Sequence, residues 1–258
     1  MSTTTGTATT RTALVTGAAS GIGREIARAI GEAGHRVAAA DINADGATET
    51  VNQLTAAGAT GLAITMDVAD SDSVIQGCLQ AADELGPVDI LVNVAGWDRF
   101  HRFVDTDEAF WDRIIEINLK GVLRTCHACV PGMTERGWGR IVNIASDAGR
   151  VGSSLEGVYS GAKGGVIAFS KTLAREVARK GVTVNVVCPG PTDTPLLDEI
   201  VGSGDDGERV IGAMAGAVAM KRLGQPEEIA PAVVYFTSEG AGFTTGQTLS
   251  VSGGLTMA

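Results

Sequence analysis

The sequence Arg11-Thr12-Ala13-Leu14-Val15-Thr16, followed by Gly17-Ala18-Ala19-Ser20-Gly21-Ile22-Gly23, decides the fold. Its first six residues form a short β-type run, and a helical pattern through residue 33 follows the glycines. This order of strand, glycine loop and helix is the one a phosphate-binding loop requires. The glycines permit a sharp turn and close approach to a pyrophosphate, whose charge the free N–H groups of the helix receive. The alternative is a turn that needs glycines only for packing.

Strand-like runs alternate with helical patterns along the rest of the chain. The runs cover residues 36–41, 61–68, 88–96, 140–145, 182–188 and about 246–251. The alternation predicts an α/β fold with a single Rossmann-type, doubly wound parallel sheet flanked by helices on both faces. Residues 11–258 are expected to form one dinucleotide-binding catalytic domain after a flexible tail at residues 1–10. Residues 191–220, with a glycine- and aspartate-rich middle, are predicted to be a substrate lid.

Composition and charge exclude several classes of function. The net charge of −10 provides no basic surface for nucleic acid or anionic lipid. We see no apolar run long enough to span a membrane and no secretory signal, so no membrane partner is expected. Four scattered cysteines are typical of a reduced, cytoplasmic protein. The single Cys126-x-x-Cys129 pair predicts ordinary helix packing and no metal site.

Carboxylates at strand ends indicate which dinucleotide would bind. Asp41 ends the second strand, where an acid accepts hydrogen bonds from ribose hydroxyls and repels a 2′-phosphate, so NAD is favoured over NADP. A helix N-cap is the alternative role, for which Asn43 is better placed. Asp67 and Val68 lie at the carboxyl end of the third strand and are expected at the adenine amino group and ring face, respectively. Either could instead be a loop residue that caps the next helix.

Tyr159 and Lys163 stand four residues apart, so a helix would present them on one face. An ammonium close to a phenol favours the phenolate, which predicts a pKa of Tyr159 below its usual value of about 10. Ser146, after the strand at 140–145, can add a hydroxyl if the loop folds back. A chance pair on an ordinary helix is the alternative.

Two asparagines stand at unusual positions. Asn93 interrupts an apolar strand, and a buried amide must find partners, so we expect it to tie neighbouring strand backbones together. Asn118 lies in the middle of a helix predicted from residue 107 to about 133. Asparagine is a poor helix former, which indicates a local kink or a bound water there.

Several motifs together resemble the short-chain dehydrogenase/reductase family along nearly the whole chain. They are Thr16-Gly17-xxx-Gly21-Ile22-Gly23, Asn93-Val94-Ala95-Gly96, Asn118, Ser146, Tyr159-xxx-Lys163 and Pro189-Gly190. Val94 departs from the family's Asn-Asn-Ala-Gly element, with a small effect expected on strand tying. The resemblance implies that Ser146 polarises the substrate oxygen, Tyr159 exchanges the proton, Lys163 holds the ribose and Asn118 anchors a relay water. The four-residue Tyr-to-Lys spacing fits ketone and alcohol chemistry better than the longer spacing of enoyl reductases.

The resemblance also implies the binding residues and the assembly. The expected cofactor residues are Gly17, Ser20, Gly21, Ile22, Gly23, Asp41, Asp67, Val68, Asn93, Ala95, Gly96, Tyr159, Lys163, Pro189, Gly190, Thr192 and Thr194. The expected substrate residues are Trp97, Ser146, Val151 and Tyr159, and Arg99, His101 and Arg150 are further candidates for the pocket lining. A homotetramer, or a dimer, through the long helices is implied.

A narrower likeness concerns the substrate. Residues 88–98, 139–154 and 246–257 look like the 2-hydroxycyclohexanecarboxyl-CoA dehydrogenases. This likeness implies NAD-dependent interconversion of a ketone and a secondary alcohol that is cyclic or of the hydroxyacyl-CoA type. A 3-oxoacyl-type or general carbonyl reductase is the alternative enzyme, although NADP would be expected there and Asp41 argues against it. A non-catalytic nucleotide-binding regulator is the alternative of another class, disfavoured because all four catalytic positions are intact.

Overall fold

Seven parallel strands form one sheet across residues 9–257, the part of the chain that this computed structural model describes. Residues 1–8 of the predicted tail lie outside the described residues. In chain order, β1 to β7 are Thr12–Thr16, Arg36–Asp41, Gly61–Thr65, Val88–Asn93, Gly139–Ile144, Val182–Pro189 and Thr248–Val251. The spatial order is β3-β2-β1-β4-β5-β6-β7. Strands β3 and β4 end earlier than the predicted runs 61–68 and 88–96. Asp67, Val68, Ala95 and Gly96 consequently lie in the loops that follow these strands.

Helices connect the strands. In chain order, α1 to α10 are Gly21–Glu32, Ala44–Ala56, Ser71–Leu85, Glu108–Ile115, Gly121–Arg136, Ala148–Val151, Gly157–Val177, Pro195–Val201, Asp205–Ala217 and Pro226–Thr237. The helix predicted from 107 to about 133 is α4 and α5 joined by a π-helical turn, Glu116–Lys120, which contains Asn118. The amide of Asn118 donates to the carbonyl oxygens of Ile114 (3.0 Å) and Trp97 (2.7 Å). The predicted irregularity at Asn118 is thus confirmed as a π-turn.

The sheet is covered on both faces because its strands carry apolar residues on both sides. Leu14, Leu91 and Ile141 point into one core, together with apolar residues of α3, α5 and α7. Their strand neighbours, including Ile90 and Val92, point into the other core, which α1 and α10 close. Burial on both faces is what a parallel sheet requires. The predicted doubly wound fold is confirmed.

The strand order places a crevice between β1 and β4. The chain builds β2 and β3 on one side of β1, then crosses over and continues with β4 to β7 on the other side. The loops after β1 and β4 therefore diverge at the carboxyl edge of the sheet. Ligands bind at such a point in open α/β sheets.

Asn93 differs from the expectation. Its side chain, 3% exposed, donates to Oδ1 of Asn143 on β5 (2.8 Å) and accepts from the hydroxyl of Thr125 on α5 (2.7 Å). Asn143 in turn donates to Ser170 on α7 (2.8 Å). Asn93 therefore links neighbouring strands as predicted, but the prediction that it bonds to their backbones was wrong. The backbones of β4 and β5 already pair with each other, so the side chain, which leaves the sheet plane, bonds to the side chains of Asn143 on β5 and Thr125 on α5.

Candidate active site

The glycine loop between β1 and α1 is built by close backbone contacts. Gly17 has φ of +67°, and a Cβ there would lie 2.7 Å from the backbone nitrogen of Ala95. A Cβ on Gly23 would overlap the carbonyl oxygen of Gly17. The hydroxyl of Thr16 accepts from the backbone N–H groups of Val94 (3.1 Å) and Ala95 (3.2 Å), which fixes this loop against the one after β4. The loop therefore presents the start of α1 at the crevice, as a pyrophosphate requires.

A cavity of about 840 Å³ runs along the carboxyl edge of the sheet. The predicted cofactor and substrate residues that line it are Gly17, Ser20, Gly21, Ile22, Gly23, Asp41, Asp67, Val68, Ala95, Gly96, Trp97, Ser146, Val151, Tyr159, Lys163, Pro189, Gly190, Thr192 and Thr194. Asn93 is not among the lining residues because its amide is used between β4, β5 and α5. Its assignment to the cofactor stays a prediction.

Asp41 accepts hydrogen bonds from the backbone and can accept further ones from a ligand. Its carboxylate accepts from the backbone N–H groups of Ala19 and Asn43, each at 2.9 Å. Asn43 caps α2, since its side chain accepts from Gly46 N (3.0 Å). Each carboxylate oxygen of Asp41 has a second lone pair, and Asp41 lines the cavity. The carboxylate thus fits an adenosine ribose, and Asn43 fulfils the alternative capping role.

Asp67 and Val68 also lie at the cavity. The carboxylate of Asp67 accepts from Ala69 N (2.8 Å), whereas the helix cap of α3 is Asp70, which accepts from Ser73 N (2.9 Å). Asp67 and Val68 are therefore not the cap of α3.

Arg24, just after the glycine loop, is a supporting residue that the sequence motifs do not indicate. Its guanidinium donates to the carbonyl oxygen of Ala19 and to the hydroxyl of Thr50 (3.0 Å). Thr50 is fully buried and donates to the carbonyl of Ala18 (2.7 Å). The two side chains hold the loop from below, and the helical position of Arg24 beside Gly23 was the only available signal.

Ser146, Tyr159 and Lys163 converge at the other end of the cavity. Tyr159 and Lys163 lie on the first turns of α7, and Ser146 follows β5. The Ser146 hydroxyl hydrogen-bonds with Tyr159 and accepts from Ala148 N (3.1 Å). Lys163, 2% exposed, donates to the carbonyl of Ile144 (3.0 Å), with its ammonium 5.5 Å from the centre of the Tyr159 ring. The loop does fold back, as expected for a proton-transfer site.

The titration of this group differs from the expectation. Burial, with the nearby charges of Glu156 and Asp98, raises the pKa of Tyr159 above its usual value. Burial lowers the pKa of Lys163 to about 8. The predicted lowering of the Tyr159 pKa was wrong for this structure, because desolvation of the phenolate outweighs the ammonium. Tyr159 therefore holds its proton at neutral pH.

Asn118 supports the site from behind. Besides donating to Trp97 O, its side chain accepts from Trp97 N (3.3 Å). A Cβ on Gly96 would lie 2.9 Å from Oδ1 of Asn118 and 3.5 Å from Nζ of Lys163. Asn118 thus holds the Gly96–Trp97 backbone next to Lys163. Its role in anchoring a relay water stays a prediction.

The end of the cavity next to Ser146 and Tyr159 is mainly apolar. Trp97 and Val151 line it, together with Phe100 and with Leu196 and Ile200 of α8. The Trp97 ring is held by Phe110 edge-on (centroids 5.9 Å apart) and by the Arg113 guanidinium 3.8 Å from its centre. The apolar wall favours an uncharged acyl or ring portion next to Ser146 and Tyr159.

Three candidate lining residues lie elsewhere. Arg99 pairs with Glu199 of α8, and Arg150 donates to the hydroxyl of Ser250 on β7 (2.6 Å). His101 packs edge-on against Phe110, with ring centroids 5.3 Å apart. Their side chains are used in contacts with other parts of the protein, so none lines the large cavity.

The segment predicted as a lid consists of α8 and α9. Gly202 and Gly204, both with positive φ, separate the two helices. Thr194 caps α8 by accepting from Leu197 N (3.2 Å), and Met214 of α9 lines the cavity with residues of α8. The segment therefore forms part of the cavity wall, and its role as a substrate lid stays a prediction.

Neither a metal-ligand cluster nor a helix able to cross a membrane occurs in residues 9–257. The thiols of Cys126 and Cys129 are buried and form no disulfide. Cys129 Sγ lies 3.8 Å from Cys78 Sγ, at hydrogen-bond distance. The two cysteines of the Cys-x-x-Cys pair therefore take part in helix packing.

Comparison with known proteins places this geometry among related chains. A family model described as enoyl-(acyl carrier protein) reductase matches residues 17–256. Nodulation protein G of Azospirillum brasilense is 43% identical over 244 residues, covering 94% of this chain and 97% of that protein. The acetoacetyl-CoA reductase of Shinella zoogloeoides is 38% identical over 246 residues, covering 95% of this chain and 98% of that protein.

A solved structure is similar over the same length. The crystal structure of an actinorhodin polyketide ketoreductase variant with NADPH superposes with a TM-score of 0.90 and 38% sequence identity. The match covers 96% of this chain and 99% of that one. Similarity of sequence and fold thus extends through both the glycine loop and the Tyr159 region.

Proposed function

Because the chain belongs to the short-chain dehydrogenase/reductase family, we propose that it is an NAD-dependent oxidoreductase that interconverts a secondary alcohol and its ketone. One observation carries this proposal. Ser146, Tyr159 and Lys163 meet in the same cavity that continues to the glycine loop and Asp41. A proton donor for an oxygen and a cradle for a dinucleotide are thereby joined in one site.

The residues of the chain supply position and protons. A nicotinamide held here would give or take the hydride. Ser146 donates a hydrogen bond to the substrate oxygen, and Tyr159 delivers its proton to that oxygen in reduction or accepts it in oxidation. Lys163, fixed by the Ile144 carbonyl, favours the phenolate as it forms. The glycine loop binds the pyrophosphate, and α8 and α9 exclude water from the substrate end.

The substrate class we propose is a 3-hydroxyacyl thioester and its 3-oxo form. Acetoacetyl-CoA, named for one relative, is a 3-oxoacyl thioester. A 2-hydroxycyclohexanecarboxyl thioester, which the narrower sequence likeness suggests, has the same relation of hydroxyl to thioester within a ring. The apolar wall around Trp97 and Val151 supports an acyl chain or ring. The ring substrate is the narrower hypothesis.

A substrate screen tests this function. The purified protein is assayed in both directions with cyclic and linear 3-hydroxyacyl-CoA thioesters, simple cyclic secondary alcohols and an enoyl thioester. We expect turnover of a 3-hydroxyacyl or 3-oxoacyl thioester and none of the enoyl compound. The reason is that Ser146 and Tyr159 together would hydrogen-bond and protonate a ketone oxygen, which the carbon–carbon double bond of an enoyl group lacks. Turnover of the enoyl thioester alone would contradict ketone chemistry. Dinucleotide binding with no turnover of any class would favour the non-catalytic regulator.

Asp41 is the proposed selector between NAD and NADP. Asp41→Asn keeps the size of the side chain and removes its charge, so the repulsion of a 2′-phosphate is lost. We expect the preference for NAD over NADP, measured as the ratio of kcat/KM values, to fall by about tenfold or more, as for one charge-assisted interaction. Asp67→Asn is the matched control, since it removes a carboxylate elsewhere in the cavity. An unchanged ratio in the Asp41 variant would show that another residue selects the cofactor.

We also propose that the protein is cytoplasmic and forms a homotetramer or a dimer. All four cysteines are unpaired, which supports a reducing compartment. The outer faces of α3, α5 and α7 form an apolar groove in which Ile75 is 46% and Leu123 36% exposed, and this supports association through the long helices. Light scattering of the purified protein measures the assembly.

A further inference from the structure

Two carboxyl groups lie together beside the catalytic tyrosine. Asp98, in the loop after β4, is 2% exposed, and the side chain of Glu156 lies within hydrogen-bond distance of it. Within residues 9–257 no N–H or O–H donor reaches Oδ2 of Asp98. An ionised carboxylate can only accept hydrogen bonds. Asp98 and Glu156 can therefore hydrogen-bond to each other only when one of them keeps its proton.

The pair lies beside Tyr159, and one of its two members also reaches the large cavity. Asp98, Glu156 and Tyr159 line one small cavity of about 10 Å³, near the lower limit for a single water molecule. Glu156 also lines the large cavity. The pair is thus adjacent to Tyr159 on one side and to the substrate and solvent space on the other.

The backbone is shaped to bring the two carboxyls together. Leu155 adopts φ of +70°, a conformation that leucine rarely takes, directly before Glu156. Its carbonyl accepts from the backbone N–H of His101 (3.0 Å), which joins the loop of Asp98 to the start of α7. The Glu156 side chain lies at the N-terminus of α7, yet it turns toward Asp98. Strain of this kind persists when the surroundings require it.

The charged and titratable neighbours of the pair come from three elements. Arg99 and His101 belong to the Asp98 loop, Tyr159 and Lys163 to α7, and Glu199 of α8 pairs with Arg99. Burial, followed by the charge of Glu156, raises the pKa of Asp98 to about 8, against the backbone N–H of Arg99 and the charge of Lys163. Asp98 therefore keeps its proton at neutral pH.

We propose that Asp98 and Glu156 share one proton and restore the proton of Tyr159 after each reduction, with Asp98 as a positioning residue behind Glu156. In the reductive step the Tyr159 O–H bond breaks and the O–H bond of the alcohol forms, while the hydride comes from the coenzyme. The phenolate then takes the proton of the carboxyl pair across the small cavity, and the pair recovers a proton from solvent through Glu156. The kinetic part rests on the proposed function, whereas the shared proton is a property of the protein alone.

An infrared titration tests the shared proton without coenzyme or substrate. The carbonyl stretch of a protonated carboxyl is followed in difference spectra that span the Asp98 pKa of about 8. We expect a titrating band in the unchanged protein, its absence in Asp98→Asn, and its loss at lower pH in Glu156→Gln. Asp83→Asn, at an exposed site on α3, is the matched control and should keep the band. A band unchanged in Asp98→Asn, or no band in the unchanged protein, would overturn the proposal.

The kcat and KM values of ketone reduction test the function of the pair. For ketone reduction at neutral pH, Asp98→Asn is expected to lower kcat roughly tenfold, less than direct loss of a general acid, with KM nearly unchanged. Thermal unfolding shows whether each variant is folded. If Glu156→Gln lowers activity while the infrared band is unchanged, Glu156 is a substrate contact and the shared proton is rejected. If no ketone is reduced, the proposed function fails, and the infrared result still decides the pair.

The same carboxyl makes folding stability depend on pH. The pKa of Asp98 is higher in the folded than in the unfolded protein, so its favourable contribution is present at acid pH and is lost as pH rises through about 8. We expect Asp98→Asn to raise the melting temperature relative to the unchanged protein above that pH, and this advantage to shrink steadily as the pH falls toward the unfolded pKa of about 3.9. A difference in melting temperature that is independent of pH would contradict the buried, protonated state.

Discussion

Tyr159→Phe lowers kcat for alcohol oxidation and ketone reduction by about 10²- to 10⁴-fold, the usual contribution of one general acid–base group. The variant removes only the hydroxyl, which hydrogen-bonds with Ser146 and faces the large cavity. The apolar ring remains, so the packing of α7 and the position of Lys163 should be preserved. We therefore expect NADH affinity, measured by fluorescence titration, to stay near that of the unchanged protein.

The chain offers a matched control for this variant. Tyr235, the second of its two tyrosines, is 50% exposed on α10 and contacts the Thr244 hydroxyl (3.2 Å) away from the cavity. Tyr235→Phe should keep full turnover. A folded Tyr159→Phe protein that binds NADH and turns over near the normal rate would remove Tyr159 from the proton transfer.

Gly23→Ala is expected to damage folding and coenzyme binding together. The added Cβ would overlap the carbonyl oxygen of Gly17, and Gly17 is itself fixed against the backbone of Ala95. Because the obstacle is backbone on both sides, we expect a loss of roughly 2–4 kcal/mol in the free energy of unfolding, at the upper end of overpacking costs. Displacing the start of α1 also weakens charge-assisted bonds to the pyrophosphate, so NADH affinity should fall by about tenfold to a hundredfold.

A second glycine separates this steric effect from a general effect of alanine. Gly161 lies on the exposed side of α7, and a Cβ there meets no atom within 4 Å. Gly161→Ala should stabilise the protein by about 0.4–1 kcal/mol, because alanine reduces the entropy of the unfolded chain. Denaturant unfolding and NADH titration measure both variants. If Gly23→Ala is as stable as the unchanged protein and binds NADH equally well, the close backbone contact between Gly23 and Gly17 does not shape a pyrophosphate site.

The fold could be predicted because its signals are local. The apolar run in β4, the glycine loop before α1 and the alternation of strand and helix each depend on neighbours in sequence. The errors in strand length occurred at the carboxyl ends, where residues 66–68 and 94–96, apolar apart from Asp67, leave the sheet. There the chain turns toward the cavity, and hydrophobicity does not distinguish a strand residue from a buried loop residue.

The sequence predicted which residues lie together at the cavity better than it predicted their pKa values. The spacing of Tyr159 and Lys163 correctly placed both on one face of α7, and Asn118 was recognised as irregular. The direction of the shift in the Tyr159 pKa was not predicted correctly, because it depends on how far the phenol and the ammonium are removed from water. Asn93 was expected to bond to strand backbones, but its partner is the Asn143 side chain, which becomes adjacent only when β4 pairs with β5.

The sequence by itself determined the parallel α/β fold, the glycine loop at residues 17–23, the carboxylate at Asp41 and the Ser146, Tyr159 and Lys163 set. These follow from periodicity, turn chemistry and short spacings, which act between residues close in the chain. Only the tertiary structure decided the partners of Asn93, the raised pKa of Tyr159 and the pairing of Asp98 with Glu156. Desolvation and Coulomb energies depend on which distant segments pack together, so they exist only once the sheet edge and α7 are assembled.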